Sequence, residues 1–231
     1  MSGIDVTDML DFFEREMGLL QLDLIQPGWL IHADGFKRNM IRSILKRSFD
    51  ILASGILLLV FLPFIILTAI AIFIESGCKG PVLYFQERTG MDGRPFNLIK
   101  FRSMQTTAEA DGQARWAETN DPRVTRVGSF IRKYRLDELP QLWNVFVGEM
   151  SLVGPRPERP VFVDNLCKIN PLYKERHRVK PGVTGWAQLC YPYGASEKDS
   201  IEKLKFDLYY VKNHGLFFDF YILIQTIEVV L

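Results

Sequence analysis

The run Arg135-Leu136-Asp137-Glu138-Leu139-Pro140-Gln141 sets two adjacent carboxylates between an arginine and a proline. Asp137 reads as the N-cap of a helix over 138–147, with Pro140 in its first turn, where proline is tolerated. That places a carboxylate at the positive end of a helix, a position that also holds phosphate. Arg132 and Arg135 come just before it. A carboxylate beside arginines stays ionised at neutral pH, as a nucleophile must. Helical neighbours diverge by about 100°, so Asp137 and Glu138 are expected to take different roles. The plainer reading is a cap with a solvated neighbour, and the pair alone does not separate the two.

Three further clusters carry cations. Glu87-Arg88-Thr89-Gly90 is followed by Lys100-Phe101-Arg102-Ser103-Met104. Arg156 stands between Pro155 and Pro157, with Glu158 next. A last stretch, 176–186, mixes Arg176, His177, Arg178 and Lys180 with a Pro-Gly turn and Trp186. Arginine forks match phosphate oxygens in pairs, and flanking prolines fix their direction. Each cluster alone is an ordinary surface ion pair; together they suggest a site for a polyphosphate. There is no P-loop and no Gly-x-Gly-x-x-Gly after a strand. His32, His177 and His214 have no metal-ligand spacing and read as structural.

Short elements must position these groups. Residues 82–85 and 96–101 read as strands parted by Thr89-Gly90 and Asp92-Gly93 turns. Residues 127–135 and 138–147 read as two short helices. Ahead of them, residues 51–74 form an uncharged run of 24 residues, long enough to cross a bilayer. Pro63 near its middle should kink or break the helix, leaving halves of about 17 Å, too short for about 30 Å of hydrocarbon. Lys37, Arg38, Arg42, Lys46 and Arg47 crowd the upstream flank and place it in the cytoplasm. A straight span would export everything after it; a re-entrant hairpin broken at Pro63 keeps both flanks inside.

The chain divides into a lead-in (1–36), a basic flank with the hairpin (37–76) and a catalytic region (77–231) ending in aromatic-rich helices. Residues 8–20 have the spacing of an amphipathic helix, broken by Pro27-Gly28. With 231 residues there is room for one domain with extensions. Net charge is +1, with an acidic first 25 residues and a basic stretch at 37–47. No nucleic-acid partner is expected. Cys78, Cys167 and Cys190 are odd in number and far apart, which argues against a disulfide framework or a cysteine zinc site. The apolar run starts too late and is too long for a signal peptide.

These motifs, in order over about residues 40–231, resemble the bacterial sugar transferases, the monotopic phosphoglycosyl transferases. The resemblance rests on the runs 46–54, 81–90, 100–104, 135–141, 151–158 and 180–186. It implies an α-rich, irregular α/β, membrane-associated fold: a re-entrant helix hairpin, interfacial helices and a small cytosolic catalytic region. The lead-in is similar to the linker of the large members, which carry further transmembrane helices and a nucleotide-fold-like domain upstream. The chain therefore reads as the catalytic portion of a larger protein. The family's breaking proline often follows a serine; here Leu62 precedes Pro63.

The implied reaction moves a sugar 1-phosphate from a UDP-sugar to undecaprenyl phosphate, releasing UMP and beginning an exopolysaccharide, capsule or O-antigen. By the match, Asp137 is nucleophile and Mg²⁺ contact, and Glu138 the assisting carboxylate. Arg88, Lys100, Arg102, Arg156 and Glu158 are expected around the phosphates. Asp207 either organises the site or is a helix-surface carboxylate. Lys46 and Arg47 either meet lipid headgroup phosphates or snorkel. Phe206, Tyr209, Tyr210, Phe217, Phe218, Phe220 and Tyr221 form either an interfacial surface or core. The implied location is the cytoplasmic face of the bacterial inner membrane, and a homodimer stays open. Two other classes stand beside this one: a non-catalytic scaffold of glycan assembly, and a phosphohydrolase that uses water as acceptor.

Overall fold

The computed structural model describes residues 9–25, 40–106, 108, 121–192, 194 and 196–230. The expected Pro27-Gly28 break, Lys37, Arg38 and His32 lie outside the described residues. Helix α1 (Met9–Met17) is followed by α2 (Met40–Glu75), which carries the apolar run. Strands β1 (Leu83–Thr89) and β2 (Pro95–Phe101) form an antiparallel hairpin with Tyr84 opposite Lys100 and Arg88 opposite Phe96. Its turn closes through Gly90 N–H to the Arg94 carbonyl at 2.8 Å, with Asp92 and Gly93 both at positive φ. The two expected strands and turns are thus one hairpin, with β1 longer than expected.

Helices α3 (Arg126–Lys133) and α4 (Gln141–Val147) follow. Strand β3 (Ser151–Val153) then pairs in parallel with β4 (Gly182–Thr184) across α5 (Pro160–Ile169) and a 3-10 segment, Pro171–Arg178. Neither β3 nor β4 was expected. Helices α6 (Trp186–Cys190), α7 (Glu197–Asn213) and α8 (Leu216–Val230) complete the chain. The fold is helix-rich α/β with one long apolar helix.

Pro63 lies inside α2, which continues through it as one helix. Of the expected kink or break, the break is absent: the proline removes one i→i−4 bond and the helix resumes around it. At 36 residues, α2 would measure about 54 Å if straight. Its outer face is bare and apolar, with Leu59 74%, Val60 60% and Leu67 64% exposed. Both of its ends are fastened to the same body. Near the start, Asp50 accepts from Ser151 Oγ and Leu152 N, each at 3.1 Å. Near the end, Ile72 is buried with Phe101 and Ile131, and Glu75 accepts from Val127 N at 2.9 Å.

The two cations expected at headgroups are committed to protein. Lys46 Nζ donates to buried Asp219 at 2.6 Å and to the Val153 carbonyl at 3.2 Å. Arg47 donates to the Val145 and Phe146 carbonyls, each at 2.7 Å, and so caps the C-terminal end of α4. The C-terminal aromatics divide. Tyr210 is buried, and Phe218 packs edge-on against Trp186; Phe217, Phe220 and Tyr221 are exposed. In the lead-in, Leu10, Leu19, Leu20 and Leu22 are buried, and Trp186 Nε1 donates to the Gly18 carbonyl at 2.7 Å.

One buried amide locks the hairpin to α4. Asn144 Oδ1 accepts from Ile99 N at 3.0 Å, and its Nδ2 donates to the Asn97 carbonyl at 2.8 Å and Glu149 at 2.7 Å. Asn144→Leu would strand these groups without partners. Each buried orphan costs about 1–3 kcal/mol. Chemical or thermal unfolding of the variant is expected to show a loss of that order or more, and an unchanged midpoint would contradict the bridging role.

Candidate active site

The carboxylate pair sits between α3 and α4 on a tight reversal. Arg135 takes the left-handed conformation, φ 56°, and turns the chain. A 3-10 turn, Leu136–Glu138, follows, and α4 begins only at Gln141 with Pro140 ahead of it. Asp137 therefore caps no helix, contrary to the sequence reading. Pro140 has no N–H to donate to Leu136, so the segment winds by three-residue steps: Glu138 N to Arg135 O and Leu139 N to Leu136 O, both 3.2 Å. The consequence is chemical. Among the described residues, Asp137's carboxylate bonds only its own backbone N–H.

Glu138 is differently placed. Arg156 Nη2 donates to its Oε1 at 2.9 Å, and Arg135 Nη1 lies at 3.6 Å. Burial pushes Glu138 up, but Arg156 and Arg135 outweigh it and hold the carboxyl below its ordinary value. Asp137 moves the other way. Burial, and then the Glu138 charge, push it up to about 6 against Lys100 and Arg132. At neutral pH it is still mainly ionised, as the sequence reading had it, but its basicity is raised rather than lowered. The two carboxyls have different partners and shift in opposite directions, and they also feel each other.

Lys100 stands beside the pair on β2, its Nζ 5.3 Å from the Tyr84 ring. Burial, then Arg88 and Arg156, bring it down to about 8, while Asp137 and Glu138 resist. Arg88 faces the same side of the hairpin. Its Nη1 donates to the Pro157 carbonyl at 2.9 Å and meets Glu158 at 3.3 Å. The structure thus brings together Arg88, Lys100, Asp137, Glu138, Arg156 and Glu158. Arg102 is elsewhere: its guanidinium bonds Ser76 Oγ just past the end of α2. Asp207 is neither at the surface nor in the open site. It is 3% exposed and paired with Arg176, whose Nη2 also donates to the Arg156 carbonyl at 2.8 Å. Sequence reasoning named Arg176 only as one cation of the 176–186 stretch, because nothing there distinguishes a buried arginine from its exposed neighbour Arg178.

A free carboxylate flanked by two arginine forks and a lysine can receive a diphosphate and attack it. A cleft of about 520 Å³ lies apart from this cluster. Glu87 and Thr89 line it, and strand alternation puts them on the face of β1 opposite Arg88. Among the described residues no group of three or more His, Cys, Asp or Glu side chains forms a metal cage. A hard cation here would have one or two carboxylates and would take its remaining oxygens from phosphate and water, which is how Mg²⁺ is ordinarily held.

Comparison with known proteins gives the family. Over 191 residues the chain is 46% identical to the UDP-N-acetylgalactosamine-undecaprenyl-phosphate N-acetylgalactosaminephosphotransferase of Aeromonas hydrophila, covering 83% of this chain and 44% of that protein. It is 42% identical over 191 residues to the UDP-glucose:undecaprenyl-phosphate glucose-1-phosphate transferase of Escherichia coli (strain K12), covering 81% of this chain and 40% of that one. A Caulobacter vibrioides protein of the same name is 38% identical over 184 residues, covering 79% of this chain and 68% of that one. The chain spans less than half the length of the first two. Residues 41–231, which hold every member of the carboxylate and cation cluster, match the bacterial sugar transferase family, and the chain belongs to it.

Proposed function

We propose that this protein moves a sugar 1-phosphate from a UDP-sugar to undecaprenyl phosphate. The observation that carries the reading is Asp137: a carboxylate of raised basicity that no side chain among the described residues hydrogen-bonds, close to Lys100 and Arg132. Asp137 Oδ attacks the β-phosphorus. The bond from that phosphorus to the bridging oxygen breaks, and UMP leaves. The lipid phosphate oxygen then attacks the same phosphorus, the Asp137–phosphorus bond breaks, and undecaprenyl-diphosphate-sugar forms. Splitting the transfer lets two bulky substrates use one site in turn. Arg88 and Arg156 hold the diphosphate oxygens, and Lys100 offsets charge on the attacking side. Asp137, with Glu138 adjacent, would hold Mg²⁺, which supplies charge neutralisation as UMP departs.

The membrane arrangement we propose is re-entrant. The two ends of α2 hold the same body, through Asp50 at one end and Ile72 and Glu75 at the other. Opposite membrane sides would separate these anchors. Trp143, 50% exposed, and Phe146, 38% exposed, stand beside the root of α2, where an aromatic belt would lie. UDP-sugars are cytosolic, so this body faces the cytoplasm at the inner membrane, at the first membrane step of a surface glycan.

The test is UMP release by protein in detergent or nanodiscs, supplied with Mg²⁺, undecaprenyl phosphate and a panel of UDP-sugars. Lipid-dependent release with a lipid-linked sugar product is expected. Release that ignores the lipid would identify a phosphohydrolase, and absence of lipid-linked product with every donor would overturn the reading. The pH profile is a second check. With Asp137 at about 6 and Lys100 at about 8, kcat/KM should rise through about pH 6 and fall through about pH 8. Lys100→Arg is expected to move the alkaline limb upward and leave the acid limb in place.

A further inference from the structure

Residues 155–158, Pro-Arg-Pro-Glu, are poor in backbone donors, because two of the four lack an N–H. All four of their carbonyls are nevertheless taken. Gly182 N reaches Pro155 O at 3.0 Å, and Thr89 N reaches Glu158 O at 2.9 Å. The two carbonyls between them are held by arginine side chains: Arg176 Nη2 on Arg156 O at 2.8 Å, and Arg88 Nη1 on Pro157 O at 2.9 Å. The segment is therefore fixed by side chains where a strand ladder would fix another.

Arg176 is built in on every side. Its Nε and Nη2 meet Asp207 Oδ2 at 2.9 and 2.7 Å, its Nη1 donates to Tyr173 Oη at 3.1 Å, and its guanidinium lies 4.9 Å from the Tyr173 ring centre. It is 5% exposed and Asp207 is 3% exposed. Burying such a pair brings little net stability over well-packed apolar residues. What the pair does uniquely is present one fixed N–H to the carbonyl of Arg156, whose own guanidinium holds Glu138 at 2.9 Å.

We infer that Arg176 is a positioning residue for the transfer. Anchored by Asp207 and Tyr173, it sets the Arg156 backbone so that the Arg156 guanidinium stays on Glu138 and on the incoming diphosphate. The inference rests on the proposed reaction for its kinetic arm only. Loss of Arg176 frees Arg156 to leave the carboxylate pair. With that guanidinium withdrawn, the diphosphate loses one of its two arginine forks and binds more weakly.

The experiment compares wild type with Arg176→Lys, which keeps a cation for Asp207 but lacks the planar fork that reaches Asp207, Tyr173 and the Arg156 carbonyl from separate nitrogens. Two quantities are read: kcat and KM taken separately, and UDP affinity by calorimetry. Arg176→Lys is expected to lower kcat/KM by about 10- to 100-fold, the usual cost of losing an orienting partner. It should also weaken UDP binding. Should Arg176→Lys fail to fold, Asp207→Asn carries the same readouts, since it keeps the shape of the partner and removes its charge. A lower melting temperature with unchanged kcat/KM and unchanged UDP affinity would reduce Arg176 to a structural prop and overturn the inference. Should wild type bind UDP yet release no UMP, the reaction reading fails while the binding arm still decides the role of Arg176.

Discussion

Asp137→Asn is expected to lower lipid-dependent UMP release by about four orders of magnitude or more, the scale seen when a covalent nucleophile is removed. The amide has nearly the shape of the carboxylate but no anionic oxygen to attack phosphorus. With UDP-sugar alone, wild type should form a sugar-phosphate adduct on the peptide that contains Asp137, visible as a mass increase, and the variant should not. The fold should not suffer. Burial raises the Asp137 carboxyl to about 6. A group that binds its proton more tightly when folded contributes full stability below its unfolded value, near 4, and loses it as pH rises through about 6. At pH 7.5 the neutral amide removes that cost, so the variant should melt no lower than wild type. Glu138→Gln should be milder in rate, because it weakens the hold of Arg156 without removing an attacking atom. If Asp137→Asn releases UMP at the wild-type rate, another group attacks.

Much of this site was legible because its residues are short-range and chemically marked. Asp137 and Glu138, Arg156 between its prolines, and Arg88 beside a turn each stand out within a few residues. The β1–β2 hairpin was legible for the same reason, from its period-2 pattern and its Asp-Gly turn. What escaped is non-local. Strands β3 and β4 have three residues each, too few to show a period, and they pair across 31 positions. Asn144 reads as one polar residue in an amphipathic helix until β2 is laid against it. The helix start was misjudged by three residues because Pro140 can stand in a first turn or just before it. Pro63 was weighted by its local penalty, which the rest of α2 absorbs. Asp207, left open between site and surface, needed Arg176, 31 residues away, to define it.

The same non-local logic makes Lys46 the second large effect. By sequence it is a flanking cation of an apolar helix, placed to meet a lipid phosphate. In the fold its side chain is 13% exposed and that of its partner Asp219, 173 positions away, is 1% exposed. Asp219 also accepts from Tyr210 Oη at 2.7 Å, and both Lys46 and Tyr210 reach the Val153 carbonyl. Lys46→Met would leave a carboxylate buried with a single neutral donor. Breaking such a pair from one side costs about 3–5 kcal/mol, against a total stability of about 5–15 kcal/mol. Melting in detergent should therefore fall by about 6–20 °C, at about 2–4 °C per kcal/mol for a chain of this size. The double variant Lys46→Met with Asp219→Leu removes both charges and should recover most of the loss. The signature is thus a large coupling in the cycle of single and double variants. A headgroup contact would behave differently: Lys46→Met would weaken binding to anionic vesicles, leave the melting temperature near wild type, and show no coupling to Asp219. Lys46 also fastens α2 to β3, the strand that leads into Pro155 and Arg156, through the Val153 carbonyl. Its loss should lower the rate along with the melting temperature, and the double variant, which cannot remake that bond, should restore the melting temperature more fully than the rate.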